Sequence, residues 1–196
     1  APPQHEPLDA FIKVDFLLAD AGLNVPKILE QNSQEGFLLL NDLGNETYLA
    51  KLNLETANDL YQDATQALIK MQIASKPDVL PNYDRALLQR ELDLFPEWYL
   101  KKHLGIELDN QQQALLQKSF DFIIENNLAQ AKVYVHRDYH SRNLMVTSKN
   151  NPGVLDFQDA VYGPITYDAA SLWRDAYIAW PEEKVIDWVI RFWEQG

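Results

Sequence analysis

Apolar residues recur along the chain at two spacings, which predict where helices and strands lie. Four long stretches repeat apolar residues every three to four positions, a period typical of an amphipathic helix. These stretches cover residues 8–21, 56–74, 83–103 and 109–128. Two shorter helices rich in aromatic residues are predicted at 167–177 and 182–193, on either side of Trp180-Pro181.

Local signals refine the ends and faces of these helices. Gly22 is a good stop for the first helix, Pro96 predicts a break in the third, and Asp109 is placed to cap the fourth. Asp168, which comes shortly after a Gly-Pro turn, is placed to cap the fifth. The apolar residues of the fourth helix that are predicted to face the interior are Leu115, Leu116, Phe120, Ile123 and Ile124.

Short apolar runs predict the strands. Two lie near the start of the chain, at 25–29 and 36–40, and the second is continuous enough to be buried. Three more lie further along, at 133–135, 144–146 and 154–155. These three predict a strand, a tight polar loop, a second strand, a turn and a third strand, all within one small sheet.

A polar residue stands beside the end of each of the last three runs. Asp138 follows the first, Asn143 comes five residues later, and Asp156 lies thirteen residues beyond that. Strand ends at one rim of a sheet would bring these side chains together. Metal-dependent phosphoryl transfer needs a carboxylate to accept the hydroxyl proton, and a carboxylate plus an amide oxygen to hold Mg²⁺. The three residues therefore predict a phosphotransferase site.

Composition narrows the class of protein. The chain has 196 residues, no cysteine and a net charge of −12. The missing cysteines exclude disulfides and thiolate metal sites, and the acidic balance argues against binding to the backbone of nucleic acid. No apolar run reaches membrane-spanning length and no basic, apolar leader is found, so we expect no membrane contact and a cytoplasmic location. No obligate protein partner is evident.

Several motifs carry a resemblance to known kinases. The run HRDYHSRN resembles the catalytic loop of the protein-kinase superfamily, and LDFQ resembles its metal-binding Asp-Phe-Gly. A histidine two residues after the aspartate is typical of small-molecule kinases similar to the aminoglycoside phosphotransferases. The segments FLLLNDLGNETYL, YDRALLQRELDLFPEWYL and DFQDAVYGPITYDAASLWRDAY are similar to bacterial kinases that phosphorylate the anomeric hydroxyl of N-acetylmuramate and N-acetylglucosamine.

This resemblance implies an α+β, bilobal protein-kinase-like fold. Residues 1–43 would supply part of the small nucleotide-binding lobe, with two strands and a helix. Residues 44–196 would form a mainly helical large lobe with a short catalytic β-hairpin. Kinases cover the ATP phosphates with a glycine-rich hairpin before a lysine-bearing strand, but this sequence contains no Gly-x-Gly. The sequence also opens without an initiator Met and stops just after a strongly helical pattern. We therefore expect a chain truncated at both ends.

The resemblance also implies residue roles around ATP and Mg²⁺. Asp138 would be the catalytic base, and Asn143 and Asp156 would bind the metal. Backbone groups of Asn41 and Leu43 would hydrogen-bond adenine at the hinge between the lobes. The alternative for this segment is an ordinary turn after a strand.

Support and substrate roles follow in the same way. His136 would hold the catalytic loop by packing and hydrogen bonding, and Asp168 would hold the backbone amides of that loop. Asp159, Glu91 and Arg174 are candidate substrate residues. For Glu91 a solvated helix face is the alternative, and for Arg174 an ion pair at the surface.

The predicted function is ATP- and Mg²⁺-dependent phosphorylation of a hydroxyl on a small molecule. The favoured acceptor is the anomeric hydroxyl of N-acetylmuramate or N-acetylglucosamine in cell-wall recycling. One alternative is an aminoglycoside, choline-like or homoserine-like acceptor, because an acidic protein mildly favours cationic ligands. The other is a catalytically inactive kinase-like binding module, which the missing glycine-rich hairpin favours and the intact Asp138, Asn143 and Asp156 oppose.

Overall fold

Helices make up most of the regular structure in the computed structural model, which describes residues 8–195. The α-helices are α1 (Leu8–Asp20), α2 (Tyr48–Lys51), α3 (Ala57–Ile73), α4 (Arg85–Leu92), α5 (Asn110–Leu128), α6 (Tyr167–Trp173) and α7 (Glu182–Gln195). A π-helix (Phe95–His103) follows α4. Within the described residues, no helix combines the length and the apolar character needed to cross a bilayer.

The strands of residues 8–195 form three separate antiparallel pairs. They are β1 (Ile28–Asn32), β2 (Phe37–Leu40), β3 (Lys132–Val135), β4 (Leu144–Met145), β5 (Gly153–Val154) and β6 (Val161–Pro164). β1 pairs with β2, β3 with β6, and β4 with β5. The predicted single sheet is therefore wrong. β3 pairs with β6, a strand that the sequence analysis missed because its glycine and proline are typical of turns.

The β1–β2 pair lies at the surface. β1 begins three residues later than predicted, and the expectation that β2 is buried is wrong. Phe37 and Leu39 of β2 are 64% and 58% exposed, whereas the residues between and after them are half-buried. Successive side chains of a strand point to opposite faces, and this pair has the protein on one face only, so alternate apolar residues reach solvent.

Helix ends lie close to the predicted ones, with one exception. α4 ends at Leu92 and the π-helix carries Pro96 in its first turn, which confirms the predicted break. Asp109 caps α5 through a capping box with Gln112. α6 ends at Trp173, four residues before its predicted end.

α5 buries less of its surface than its apolar pattern predicts. Phe120 and Ile124 are buried, but Leu115 and Ile123 are 67% and 42% exposed. The helix contacts α4 and β6 along one narrow stripe of its surface. Side chains that lie outside this stripe point into solvent, so the inward direction predicted for Leu115 and Ile123 is wrong.

The main hydrophobic core surrounds α3. Its buried residues on that helix are Ala57, Tyr61, Ala64, Leu68 and Met71. Residues 133–158 carry the predicted catalytic residues and form the catalytic segment. The residues of this segment in the same core include Tyr139, Leu144, Val154 and Phe157. A second, smaller cluster contains Tyr83, Leu88, Ile124, Val133, Val135 and Val161. The catalytic segment thus lies directly on the core, which restricts its motion.

Polar contacts fix the β4–β5 hairpin to its neighbours. Asn151 in the hairpin turn donates to the Tyr48 hydroxyl at 2.8 Å and to the Asp63 carboxylate at 2.7 Å. The Val154 amide donates to the Asn24 carbonyl at 2.8 Å. The hairpin is therefore held by α2, by α3 and by the segment that follows α1.

Candidate active site

The ends of β3, β4 and β5 bring Asp138, Asn143 and Asp156 together. The Asn143 side chain donates to the Asp138 carbonyl at 3.1 Å and to Asp156 Oδ2 at 3.3 Å. The Leu155 amide donates to the Asn143 carbonyl at 3.0 Å, which ties the end of β5 to the start of β4. Both side-chain bonds of Asn143 use its Nδ2 atom, and no described residue donates to its Oδ1 atom.

The oxygen atoms at this point fit a magnesium ion. Asn143 Oδ1 offers a neutral ligand and the Asp156 carboxylate a charged one. In kinases Mg²⁺ keeps water ligands and is held by one or two side chains together with the substrate phosphates. Among residues 8–195, no group of three or more His, Asp or Glu side chains is arranged to hold a metal.

Asp156 is held on both carboxylate oxygens. Gln158, at the position where protein kinases have glycine, donates to Asp156 Oδ1 at 2.9 Å, and Asn143 donates to Oδ2. The backbone of Asp156 has a φ of +64°, a left-handed conformation that aspartate tolerates better than most residues. The two amide contacts and this backbone conformation together fix the direction of the carboxylate.

Asp138 lies at the solvent-facing side of the loop that follows β3. Partial burial raises the pKa of its carboxyl above the ordinary value, and the electrostatic influence of His140 opposes that rise. The neighbouring carboxylates of Asp156 and Asp159 raise the pKa further. A carboxylate with a raised pKa accepts a proton more readily, which suits a base that receives a hydroxyl proton late in a reaction.

His136 is fully buried and acts within the loop. Its Nε2 atom bonds the Leu155 carbonyl at 2.9 Å, and the Asp138 amide donates to its Nδ1 atom at 3.3 Å. These two partners assign a neutral ring that is protonated on Nε2. Burial lowers the pKa of His136 to about 4, although the bond to Leu155 and the charge of Asp156 act in the opposite direction.

Asp168 lies under the start of the catalytic loop. Its Oδ2 accepts from the His136 amide at 2.6 Å and its Oδ1 from the Arg137 amide at 3.0 Å. The prediction that Asp168 caps α6 is wrong, because Thr166 occupies that position and Asp168 lies in the first turn. Burial raises the pKa of Asp168 to about 7, against the lowering effect of the two backbone bonds.

Arg137 has a partner that the sequence does not reveal. Its guanidinium forms an ion pair with Glu91 of α4, and it also donates to the Asp159 carbonyl at 3.3 Å. The guanidinium carbon lies 5.9 Å from the centroid of the Tyr83 ring. The backbone of Arg137 is left-handed, with a φ of +79°, a conformation that non-glycine residues rarely adopt.

Glu91 serves the protein's own donors. Besides Arg137, its carboxylate accepts from the hydroxyls of Tyr83 and Tyr167, the latter at 3.3 Å. A carboxylate that already binds three protein groups has few free lone pairs for a sugar hydroxyl. Glu91 is also half-buried, so the alternative of a solvated helix face does not describe it. Glu91 thus holds Arg137 of the loop after β3, and its predicted contact with substrate stays a prediction.

Asp159 lies beside the predicted base. Its side chain is exposed, and its charge is close enough to raise the pKa of Asp138. The Arg137 side chain donates to the Asp159 carbonyl, so the carboxylate stays open to solvent. The exposed carboxylate is accessible to a ligand, and the predicted contact of Asp159 with substrate stays a prediction.

Arg174 is placed differently from the other candidates. It lies at the end of α6, pairs with Glu182 at the start of α7, and is 58% exposed. This arrangement is the surface ion pair given as the alternative, and such pairs contribute little to stability. Arg174 lines a groove between α6 and α7 whose lining residues include none of Asp138, Asn143 and Asp156.

Asp175 is a buried carboxylate that the sequence analysis missed. Its Oδ2 accepts from the Ser141 amide at 2.9 Å and its Oδ1 from the Tyr177 amide at 2.8 Å. Asp168 and Asp175 thus hold the two ends of the catalytic loop. No helical period in the sequence marks Asp175, because it lies two residues beyond the end of α6.

The predicted hinge has backbone groups that are not used by the protein. The Asn41 amide donates to the Lys27 carbonyl at 3.0 Å, and its side chain accepts from the Lys27 amide. Within residues 8–195, neither the Asn41 carbonyl nor the Leu43 amide bonds another protein group. One acceptor and one donor, two residues apart, fit the edge of an adenine ring.

Comparison with known proteins places the chain in a family. All of residues 1–196 match the phosphotransferase enzyme family. The chain belongs to this family. It is 49% identical over 196 residues to the N-acetylmuramate/N-acetylglucosamine kinase of Pseudomonas aeruginosa, and 47% identical over 200 residues to that of Neisseria meningitidis serogroup B. It spans 58% and 59% of these relatives, respectively. The predicted family resemblance is confirmed.

Solved structures confirm the kinase-like α+β fold. An aminoglycoside-3'-phosphotransferase of type VIII superposes with a TM-score of 0.68 at 14% identity, covering 96% of this chain and 73% of its own. The ADP-bound aminoglycoside phosphotransferase APH(2'')-Ib gives a TM-score of 0.67 at 15% identity, covering 95% and 66%. At such identities the likeness concerns the fold alone. The division into lobes at residue 43 stays a prediction.

Proposed function

We propose that this protein transfers the γ-phosphoryl group of ATP to a hydroxyl of a small molecule, with Mg²⁺. The observation that carries the proposal is the bonded arrangement of Asp138, Asn143 and Asp156 at the ends of three strands. Two catalytic-loop supports, Asp168 and Asp175, add to it because they fix the backbone on either side of Asp138. The cytoplasm is the proposed setting.

In the proposed reaction, the acceptor hydroxyl oxygen attacks the γ-phosphorus of ATP. The bond from that phosphorus to the β–γ bridging oxygen breaks, ADP leaves, and the hydroxyl proton passes to the Asp138 carboxylate. Bound Mg²⁺ supplies positive charge that offsets the charge of the phosphates. The residues Asn143 and Asp156 would hold it through oxygen atoms, and Asn41 and Leu43 would orient adenine through backbone groups.

We propose the anomeric hydroxyl of N-acetylmuramate or N-acetylglucosamine as the acceptor, in cell-wall recycling. The support is the name that relatives with 47–49% identity share. The solved structures with the same fold include aminoglycoside phosphotransferases, so the fold by itself does not select a sugar. Asp159, exposed beside Asp138, is the proposed contact to the acceptor.

A ³¹P NMR time course on the full-length gene product tests this proposal. It would contain Mg²⁺–ATP and either sugar, and the expected result is a sugar 1-phosphate resonance that grows together with ADP. Asp138→Asn should lower kcat by at least a hundredfold while nucleotide affinity stays within about twofold, because a general base contributes roughly 10²–10⁴-fold. Asp121→Asn, an exposed aspartate on α5, is the matched control.

Other outcomes of the same experiment separate the alternatives. Phosphorylation of an aminoglycoside, choline or homoserine but of neither sugar would keep the phosphotransferase and reject the acceptor. ATP that is not consumed with any acceptor would favour a kinase-like binding module. Normal turnover by the Asp138→Asn variant would contradict the assignment of the base.

A further inference from the structure

The aromatic ring of Tyr177 lies beside two basic side chains of the catalytic loop. The guanidinium carbon of Arg142 is 4.8 Å from the centroid of the Tyr177 ring, within the range of a cation–π contact. The ring of His140 meets the same ring edge to face, with centroids 5.3 Å apart. Arg142 directly precedes the predicted metal ligand Asn143 in the sequence.

Asp175 fixes the position of this group. One carboxylate oxygen accepts from the Ser141 amide, next to Arg142, and the other accepts from the amide of Tyr177 itself. The Asp175 side chain is 8% exposed, so water competes little for these bonds. The loop and the aromatic residue are therefore held at a constant separation, as a binding surface requires.

Arg142, like Arg90, forms no ion pair with a carboxylate of the described residues. The arginines that pair with carboxylates are Arg85, Arg137, Arg174 and Arg191. In the described part of the chain no carboxylate lies within 4 Å of Arg142, although acidic residues outnumber basic ones by 29 to 17. Its side chain is exposed, and Tyr177 is 47% exposed. This guanidinium is thus open to an anionic group of a ligand.

The two sugars in the relatives' names differ by one charged group. N-acetylmuramate is N-acetylglucosamine with a lactyl ether, which ends in a carboxylate. An arginine buried without a partner would strongly disfavour the neutral sugar, because an unpaired buried charge is costly. An arginine that is exposed and stacked on tyrosine can stay solvated when no carboxylate is present, so it allows both sugars and favours the charged one.

We propose that Arg142, stacked on Tyr177, binds the carboxylate of the acceptor and sets the preference for N-acetylmuramate over N-acetylglucosamine. This inference rests on the proposed acceptor class. Arginine suits the role because its planar guanidinium matches a carboxylate with two parallel hydrogen bonds. Asp175 is the positioning residue, since it links the backbone next to Arg142 to that of Tyr177.

The test compares kcat/KM for the two sugars in the full-length protein and its Arg142→Gln variant. We expect the ratio of N-acetylmuramate to N-acetylglucosamine to fall about tenfold, as for loss of a charge-assisted hydrogen bond. Arg142→Lys should recover part of the ratio, because it keeps the charge but not the planar fork. Arg191→Gln, which removes the same charge from an exposed position on α7, should leave the ratio unchanged.

The other source of an anion is the nucleotide. If Arg142→Gln raises the KM of ATP and lowers kcat/KM equally for both sugars, Arg142 binds a phosphate and the inference is overturned. An unchanged ratio without any effect on ATP overturns it as well. If the unmodified full-length protein phosphorylates neither sugar, the proposed acceptor class fails first, and this inference falls with it.

Discussion

Arg137 shows how a single residue combines backbone strain with a structural contact. Its φ of +79° is unfavourable for any side chain with a Cβ atom, by about 1–2 kcal/mol. The conformation is held by Asp168, which accepts the backbone amide, and by the ion pair with Glu91. This backbone conformation sets the direction of the next residue, Asp138. Similar outliers are common where a functional geometry is over-determined by its surroundings.

Two substitutions separate the strain of Arg137 from its ion pair. Arg137→Ala and Arg137→Gly both remove the contact to Glu91, but only glycine relieves the left-handed backbone. We expect the free energy of unfolding to be higher for the glycine variant by about 1 kcal/mol, measured by urea denaturation of the full-length protein. An alanine variant as stable as the glycine variant would show that the backbone is not strained at this position.

His136 predicts a pH dependence of stability. The folded state disfavours the protonated ring, with a pKa of about 4 against 6.5 in the unfolded chain. Between these values the unfolded state binds more protons at His136. The contribution of His136 to the free energy of unfolding therefore falls as pH falls from 6.5 towards 4, opposite to the contribution of Asp168 with its raised pKa. The loss at pH 5 is roughly 2 kcal/mol. This loss of stability from His136 is absent well above pH 6.5, where the ring is neutral in both states.

The measurement is urea denaturation at pH 7.5 and pH 5 for the unmodified protein and for His136→Gln. Glutamine keeps a neutral donor for the Leu155 carbonyl but cannot titrate. The variant should be less stable at pH 7.5, yet it should lose roughly 2 kcal/mol less on acidification. Equal losses in both proteins would mean that other groups cause the pH dependence.

At the scale of elements, the sequence predicted the helices better than the strand pairing. In helices of three or more turns, apolar residues recur at several successive turns. The predicted ends of these helices therefore lie close to the observed ends. Strands of two residues, such as β4 and β5, have no period at all, and pairing between β3 and β6 joins residues about thirty positions apart. The Glu91–Arg137 ion pair was missed for the same reason, since it joins α4 to a loop 46 residues later.

The pairing of β3 with β6 depends on Gly163. A Cβ atom at this position would lie 2.7 Å from the Cβ atom of Tyr83, which is buried and cannot move away easily. Gly163→Ala should therefore lower the free energy of unfolding by about 1–3 kcal/mol. It should also lower kcat, because Tyr83 donates to Glu91 and a displaced Tyr83 would disturb the partner of Arg137. Thermal denaturation and steady-state kinetics measure the two effects.

At the scale of the whole molecule, α1, which precedes the predicted hinge, packs against the residues that follow β5. The ring of Phe11 on α1 lies 4.9 Å from that of Phe157, the residue after the predicted metal ligand Asp156. The spacing of Asp138, Asn143 and Asp156 could be read from the sequence, because each lies near the end of an apolar run. Long-range contacts such as that of Phe11 could not, because they depend on how separate elements pack.

Gly153 of the β4–β5 hairpin lies against Leu43 of the predicted hinge. A Cβ atom on Gly153 would lie 3.0 Å from Leu43 Cδ1 and 3.2 Å from Met145 Cβ. Leu43 ends in a flexible side chain and can shift, so Gly153→Ala should cost less stability than Gly163→Ala. If the shift extends from the side chain to the Leu43 backbone, it displaces the amide that we propose binds adenine. We therefore expect the KM of ATP to rise a few-fold while kcat changes little.

Comparing the two glycine variants distinguishes this coupling from general damage. Gly163→Ala should lower kcat and leave the KM of ATP nearly unchanged, the reverse of Gly153→Ala. If both variants lower stability and kcat together without a change in the KM of ATP, then Leu43 is an ordinary turn residue. In that case the hinge and the hairpin are not coupled, and adenine has to be held by other backbone groups.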